Sequence, residues 1–256
     1  MDSIIGCVTD LLNEKPPFEN PHEVIKLIIN RLKNNNLEDH KKALCDAVQL
    51  ARHHPDILKP NMKIINTKVI DFLNYQRIQV VRLACQTAGE LFRTMRCVDR
   101  PIFDHIVVGL MCKTADKNQQ LRIDANWALD KMVISVPLLV AIKALAGCRH
   151  KNPSVKVAQL RLMHGAVVIG DPKKILISPG LKEARRLVLR NCITAIEDSN
   201  ADVRFKSKKL LQLLKKTNYE VFSSALVHDV SWDELKLAEK NLNVDNLAEV
   251  LKKNGM

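Results

Sequence analysis

The sequence predicts an all-α fold, an α-solenoid of repeated helical hairpins. A short phrase recurs in it: asparagine, two variable residues, an aliphatic residue, then arginine or lysine. It reads NQQLR from Asn118, NPSVK from Asn152 and NADVR from Asn200, and a looser version, QVVR, ends at Arg82. The final basic residues are 40, 34 and 48 residues apart. Self-similarity at about 35–47 residues is typical of stacked helix pairs of the HEAT or armadillo kind.

The apolar pattern supports helices throughout the chain. Apolar residues make up 46% of the sequence, which is enough for a continuous core. The β-branched residues follow helical spacing instead of strict alternation, so we expect no strands. Only 8 glycines and 10 prolines interrupt the pattern, and most of the prolines fall where helices would end.

Five helix pairs are predicted between residues 21 and 216. A hairpin of two helices cannot bury both faces by itself, so neighbouring pairs must stack into one unit. The predicted pairs are about 21–33 with 39–53, 61–73 with 78–95, 100–114 with 119–134, 136–148 with 154–169, and 180–197 with 202–216.

The two ends of the chain differ from the repeats. Residues 1–20 are predicted as a leader, with a short amphipathic helix at 2–13 and a proline-rich break after it. Residues 21–216 form the repeat domain, and 217–256 form a helical extension or a sixth repeat. Ser231 and Glu234 fit a capping box before a helix to about residue 241. A last helix is predicted from Asp245 to near Gly255.

The net charge of +12 indicates an acidic partner, which can be nucleic acid, an anionic membrane or an acidic protein surface. The charge by itself does not choose among these three. A membrane-spanning segment is not expected, because no apolar run approaches the roughly 20 residues that crossing a bilayer needs. Nucleic acid is disfavoured, since no aromatic residues interleave with the lysines at positions 206, 208, 209, 215 and 216 to stack on bases.

Neither catalysis nor cofactor binding has support in the motifs. The chain has no glycine-rich phosphate loop, no His-Glu-x-x-His and no Gly-x-Ser-x-Gly. Its seven cysteines form no Cys-x-x-Cys pair and fit buried, reduced thiols of a cytosolic protein. We therefore expect no enzyme, no cofactor and no metal site.

Several segments, in order and spacing, resemble a TOG domain, the tubulin-binding HEAT module. They are ALCDAVQLARHHPDIL (43–58), RIQVVRLACQTAGELF (77–92), the stretch from 112 to 133 that ends LRIDANWALDKMV, ALAGCRHKN (144–152) with PSVKV, and DSNADVRFKSKKLL (198–211). The similarity spans about residues 20–216. It is strongest to the crescerin type, the TOG array regulators of axonemal microtubules, with the CLASP family next.

The resemblance implies a flat paddle of about six HEAT repeats whose intra-repeat turns grip the tubulin heterodimer or the microtubule. It places the protein in the cytoplasm, on the cytoskeleton, with the cilium or axoneme as the setting for the crescerin type. The corresponding turns are 36–40, 76–82, 117–122, 151–156 and 199–204.

Two positions depart from the pattern of the family. TOG domains typically place a large aromatic residue, often tryptophan, in the first turn, and Leu37 stands there, followed by His40 as the basic residue. The second turn has Ile78 where serine or threonine is usual. The resemblance therefore predicts a weakened apolar anchor.

The candidate contact residues fall into two groups with different alternatives. Those at the starts of the second helices either contact tubulin or hold neighbouring repeats together. They are Arg82, Arg122, Asn152, Lys156, Asn200 and Arg204. The asparagines among them also fit as helix N-caps, as does Asn118. Those earlier in the turns, or on exposed helix starts, either contact the partner or are solvated; they are Arg77, Gln79, Lys117, Gln120 and Lys151.

Trp127, in the phrase NWALDKM, resembles the peptide-holding tryptophan of armadillo repeats, but core packing fits it better because the phrase occurs once. Taken together, the sequence predicts non-enzymatic binding of tubulin or microtubules through the turns. The alternative is a general HEAT-repeat scaffold that binds a different acidic protein.

Overall fold

The computed structural model describes residues 15–96 and 98–242. Within these ranges every regular element is a helix. The predicted leader helix at 2–13 and the predicted last helix from Asp245 lie outside the described residues. The chain divides into two compact units, with the boundary between Val136 and Pro137. This boundary falls inside the range 21–216 that was predicted as one repeat domain.

The first unit consists of helical hairpins with a short linking helix after the first pair. Its described helices are α1 (Pro21–Lys33), α2 (Leu37–His53), α3 (Pro55–Leu58), α4 (Met62–Leu73), α5 (Ile78–Met95), α6 (Ile102–Lys113) and α7 (Gln119–Ser135), with a 3-10 turn at Lys59–Asn61.

The second unit repeats this arrangement and adds two helices. Its described helices are α8 (Leu138–Gly147), α9 (Pro153–Ile169), α10 (Pro172–Ile177), α11 (Lys182–Ala195), α12 (Ala201–Thr217), α13 (Tyr219–Asp229) and α14 (Trp232–Leu242), with a 3-10 turn at Pro179–Leu181.

All five predicted helix pairs are confirmed, and their ends agree with the prediction to within two residues. The sequence analysis missed α3, α10 and α13. The helices α3 and α10 are too short to carry a 3.6-residue period, and each begins with a proline at its first position. The helix α13 does carry the period, in Phe222, Ala225 and Leu226, and these residues are buried.

Asparagine caps begin most of the second helices of the pairs. The structural interpretation of Asn118, Asn152 and Asn200 is confirmed, because each side chain accepts a hydrogen bond from an N–H of the first turn at 2.9–3.2 Å. Asn36 does the same for α2. Such a cap contributes about 1 kcal/mol to stability. The exception is α5, which follows Arg77 and has no side-chain cap.

The capping box predicted in SWDE is also present. The N–H of Ser231 donates to the Glu234 carboxylate at 2.8 Å, and the N–H of Glu234 donates to the Ser231 hydroxyl at 3.4 Å. The two bonds satisfy two free donors at the start of α14 and fix where this helix begins.

The core of the first unit is organised around α5, which packs against α2, α4 and α7. The contact with α7 is very close at Gly89, where a Cβ atom would overlap the ring of Trp127 and come within 3.0 Å of the Ala128 backbone. Glycine is therefore required at this position for α5 and α7 to approach as they do.

Ion pairs join consecutive hairpins of the first unit. Arg52 on α2 pairs with Glu90 on α5 at 2.9 Å. Arg82 on α5 pairs with Asp124 on α7 at 2.6 Å, and Gln86 donates to the same carboxylate at 3.0 Å. The partners are 38 and 42 residues apart, which is about one repeat. Each pair therefore bonds equivalent helices of neighbouring repeats.

The second unit uses the same arrangement. Lys156 on α9 pairs with Asp198, just before α12, at 2.6 Å. On α11, Arg185 pairs with Asp229 at 2.5 Å and Arg190 pairs with Glu234 at 3.0 Å. These partners are 42, 44 and 44 residues apart. The last two pairs attach α13 and α14 to α11.

The part of the chain that the structure describes contains neither a helix that could span a membrane nor a cluster of metal ligands. None of its helices has the length and apolar character required to cross a membrane. No group of three or more His, Cys, Asp or Glu side chains in residues 15–96 and 98–242 is placed to hold a metal ion.

The close contact at Gly89 gives a matched pair of glycine substitutions. We expect Gly89→Ala to lower the free energy of unfolding by about 1–3 kcal/mol, because Trp127 must move out of a packed interface. Gly165→Ala on α9 meets open space, so it should raise stability by about 0.5–1 kcal/mol through helix propensity. Urea unfolding followed by tryptophan fluorescence measures both. Equal effects of the two substitutions would contradict the packing at Gly89.

Candidate functional site

In the first unit, the turns inside consecutive hairpins lie side by side. The Arg82–Asp124 bond joins the N-terminal halves of α5 and α7. The ring of His40, at the start of α2, lies 6.0 Å from the ring of Phe72, at the end of α4. We call this surface the first turn edge; it comprises residues 34–40, 74–82 and 114–122.

In the second unit, the bond between Lys156 and Asp198 joins the start of α9 to the turn before α12. We call this surface the second turn edge; it comprises residues 148–156 and 197–204. Both edges are formed by turns within hairpins, which are the positions that the sequence analysis selected.

The turns before α7, α9 and α12 share one local design. The carboxylate of Asp116 accepts from the N–H of Asn118 at 2.8 Å, and that of Asp198 accepts from the N–H of Asn200 at 2.9 Å. In the remaining turn, the Nδ1 atom of His150 accepts from the N–H of Asn152 at 3.0 Å. An acceptor two residues before the capping asparagine orders each turn. This signal is visible in the sequence, although the sequence analysis did not use it.

Neither candidate residue of the first turn, Leu37 or His40, is fully exposed. Leu37 is half-buried at the first position of α2. His40 is buried, and its Nε2 atom bonds the backbone carbonyl of Asn34 at 2.5 Å. His40 therefore closes its own turn, and only part of Leu37 is accessible to a partner.

The basic residues at the starts of the second helices are engaged within the protein. Arg82 and Lys156 pair with carboxylates of the next repeat. Arg122 donates to the backbone carbonyls of Asp116 and Lys117 at 2.8 and 3.0 Å. Arg204 donates to those of Asp198 and Ser199 at 2.7 and 2.9 Å. The contacts of Arg82 and Lys156 match the alternative in which a cation holds neighbouring repeats together. Arg122 and Arg204 instead bond carbonyls of their own turns.

The basic residues earlier in the turns have a different environment. The side chains of Arg77, Lys117 and Lys151 are exposed. Among the described residues, none of the three has an ion pair or a side-chain hydrogen bond. They can meet a partner without breaking an internal contact. Arg149 shares this condition on the second turn edge, although the sequence analysis did not select it.

The uncharged candidate residues differ from one another in exposure. Gln120 is exposed, Gln79 is half-buried, and Asn152 is exposed but used as a cap. The sequence analysis missed two apolar side chains of the first turn edge, Tyr75 and Ile78, which are 42% and 44% exposed. Ile78 had been noted only as a departure from the family pattern.

Two carboxylates of the inter-repeat pairs, Glu90 and Asp198, are held in their charged form. Burial alone raises the pKa of Glu90, but hydrogen bonds from Arg93 and Arg52 outweigh it and lower the pKa below its usual value. A hydrogen bond from Lys156, and another from the N–H of Asn200, lower the pKa of Asp198. Both carboxylates therefore stabilise the fold at neutral pH, and that stabilisation is lost as the pH falls through their lowered pKa values.

Trp127 packs within the first unit. Its ring lies against Gly89, and the ammonium group of Lys131 lies 5.6 Å from the ring centroid. A packing role agrees with the sequence-based interpretation.

The two classes of turn cation should respond differently to substitution. Arg122→Met and Arg204→Met should each lower the free energy of unfolding by about 1 kcal/mol, because each removes two hydrogen bonds that tie a turn. The matched controls Lys117→Met and Lys151→Met remove exposed, unpaired charges and should change it by less than about 0.5 kcal/mol. Thermal and urea unfolding measure all four variants. Equal losses in the two classes would contradict the division.

No known family profile matches the chain, but solved structures share its fold. The TOG domain of Zyg9 from C. elegans superposes with a TM-score of 0.61 at 14% identity, over 95% of this chain and 90% of that one. A structure from work on microtubule plus-end tracking by XMAP215, CLIP-170 and EB1 gives 0.59 at 17% identity, over 93% and 97%. The CEP104 TOG domain gives 0.56 at 13% identity, over 94% and 100%.

At these identities the likeness shows the fold alone. The predicted all-α HEAT-type solenoid is confirmed, whereas the crescerin and CLASP types stay predictions. The chain has the fold of TOG domains.

Proposed function

We propose that this protein binds tubulin, as the free heterodimer or in the microtubule, through the exposed residues of its two turn edges. The observation that carries the proposal is the set of unpaired cations at the turns, Arg77, Lys117 and Lys151, on a fold shared with TOG domains. One solved neighbour comes from work on TOG–tubulin binding specificity, at 14% identity and a TM-score of 0.56 over 90% of this chain and 89% of that one.

On the first turn edge, cations and apolar side chains occur together. Arg77 and Lys117 supply charge, and Tyr75 and Ile78 supply accessible apolar area in the same turns. A protein interface commonly has an apolar core and a polar rim. Aromatic and arginine side chains are more frequent in the interface than on the rest of the surface. Tyr75 and Ile78 therefore take over, in this proposal, the apolar contact that Leu37 makes only in part.

The charge balance fits an acidic partner such as tubulin. The excess of basic residues gives a net charge of +12, and exposed cations raise the rate of association with an acidic surface more than they raise the affinity. Because exposed charges are screened by salt, binding should weaken as ionic strength rises.

The affinity of one copy should be modest. The large aromatic anchor of the family is absent at position 37, so binding relies on several weak contacts. Linking several such domains would raise the overall affinity without any new contact.

We also propose where in the cell the protein acts. The resemblance of residues 20–216 to crescerin-type TOG domains supports action on ciliary or axonemal microtubules, within a general role on the cytoplasmic cytoskeleton. Localisation of the tagged protein in ciliated cells distinguishes the ciliary setting from the general one.

Charge reversal at the turns tests the proposal. The triple variant Arg77→Glu, Lys117→Glu and Lys151→Glu should weaken binding about 30- to 100-fold, because three favourable contacts become repulsive. Co-sedimentation with microtubules and gel filtration with free tubulin, each at two salt concentrations, measure the effect.

A matched triple variant controls for net charge. Lys26, Lys63 and Lys173 are exposed and lie outside the turn edges, so their reversal should leave most of the binding intact. Circular dichroism should show equal helix content in all proteins. If the turn variant binds as well as the control, the turns are not the site; if the wild-type protein binds neither form of tubulin at low salt, the scaffold alternative replaces the proposal.

A further inference from the structure

A groove in the second unit carries a second concentration of basic residues. It has a volume of about 470 Å³ and runs between the turn before α9 and the outer face of α11. Its lining includes Arg149, His150, Lys156, Leu187, Arg190 and Thr194. It opens beside the second turn edge and continues away from it along α11.

A smaller pocket of about 250 Å³ follows along the same helix. Its lining includes Lys182, Arg186 and His228, and it shares Arg190 with the groove. We call the two together the α11 groove. The distance along α11 from Lys182 to Thr194 is about 18 Å, at a helical rise of about 1.5 Å per residue.

The basic residues of the α11 groove divide into paired and unpaired ones. Lys156 pairs with Asp198, and Arg190 pairs with Glu234. Within the described residues, the side chains of Arg149, Lys182 and Arg186 have neither an ion pair nor a hydrogen bond. Three unneutralised cations therefore line a concave surface, which favours a ligand with several negative charges.

The spacing of these cations indicates the shape of that ligand. Along α11, Lys182 and Arg186 are unpaired within the described residues, and Arg190 is paired with Glu234. They follow one another at four-residue intervals, which is about 6 Å of axial rise per step. In an extended peptide, side chains on the same face are two residues apart, at about 6.6 Å. Carboxylates at every second residue of an extended segment would therefore match the row of cations.

We propose that the α11 groove binds an extended acidic segment of a partner protein, with glutamate or aspartate at alternate positions. Leu187 and the aliphatic parts of the groove provide a floor for the peptide backbone, and Arg149 holds the end nearest the second turn edge. The proposal goes beyond tubulin binding through the turns and does not rest on it.

Other anionic ligands fit the groove less well. Its lining contains no phenylalanine, tyrosine or tryptophan among the described residues, and single-stranded nucleic acids normally require aromatic side chains on which bases stack. A single phosphate group would need cations that converge on one point, whereas these are spread along α11. The N–H groups of Ser231 and Glu234 at the start of α14 are already bonded within the capping box, so they offer no anion site.

Fluorescence anisotropy with the 256-residue chain tests the proposal. The probe is a fluorescein-labelled nine-residue peptide that alternates glutamate and serine, and the control peptide has glutamine in place of glutamate. The glutamate peptide should bind at low salt and be released as salt is raised, and the glutamine peptide should not bind. The double variant Lys182→Gln with Arg186→Gln should raise the Kd roughly tenfold, since each exposed ion pair contributes about threefold.

A matched double variant separates the groove from net charge. Lys173 and Lys174 on α10 are exposed and have no side-chain partner within residues 15–96 and 98–242. Lys173→Gln with Lys174→Gln changes the net charge equally and should leave the Kd unchanged. Circular dichroism confirms that both variants are folded, and no tubulin is present, so failure here leaves the turn-edge proposal to its own test.

Three results would overturn the proposal. The first is no binding of the glutamate peptide at low salt, or equal Kd values for both double variants. The second is displacement of the peptide by inorganic phosphate at an equal concentration of charge, which would indicate a point-anion site. The third is tighter binding of a labelled oligothymidine that the groove variant alone weakens, which would indicate nucleic acid.

Discussion

The structure depends on ion pairs that join neighbouring hairpins within each of its two units. A single hairpin exposes an apolar face, and only a neighbour in the correct register covers it. Arg82 with Asp124 joins two equivalent helices of the first unit, and Lys156 with Asp198 joins α9 to the turn before α12 in the second. Each pair spans 42 residues of sequence. Apolar contacts provide most of the stabilisation, but they are non-directional. The ion pairs fix the register between neighbouring repeats, since a shift of one helical turn would separate each half-buried cation from its carboxylate.

This constraint decides which basic residues remain available for binding. Cations at the starts of the second helices bond carboxylates or backbone carbonyls of the turns and cannot leave them without a cost in stability. Cations earlier in the turns, such as Arg77 and Lys117, are exposed and make no such bonds within the described residues. The α11 groove follows the same rule, because Arg190 is paired and its neighbour Arg186 is not. The turn edges and the α11 groove are therefore proposed as binding surfaces because each contains basic residues with no ion pair among the described residues.

Much of the fold was predictable, because helical period and capping asparagines are local signals that neighbouring residues carry. The helix α13 was missed although Phe222 and Leu226 follow the period, and α3 and α10 are too short to show one. The candidate site was only partly predictable. The turns were located from Asn118, Asn152 and Asn200, but Arg82 could not be assigned to an internal role because its partner lies in another repeat. The exposure of Tyr75 and Ile78 likewise depends on packing between helices, which no local pattern specifies.

A double-mutant cycle on Arg82 and Asp124 tests the central claim most directly. The free energies of unfolding of the wild type, Arg82→Met, Asp124→Asn and the double variant give the coupling energy of the pair. The pair of Lys68 and Asp71, at 3.3 Å on α4, serves as the reference cycle because its aspartate is exposed. We predict a coupling of about 2 kcal/mol for Arg82 with Asp124 and less than about 0.5 kcal/mol for the reference. A coupling for Arg82 with Asp124 no larger than that of the reference would contradict the account, since the cations would then not hold the repeats in register.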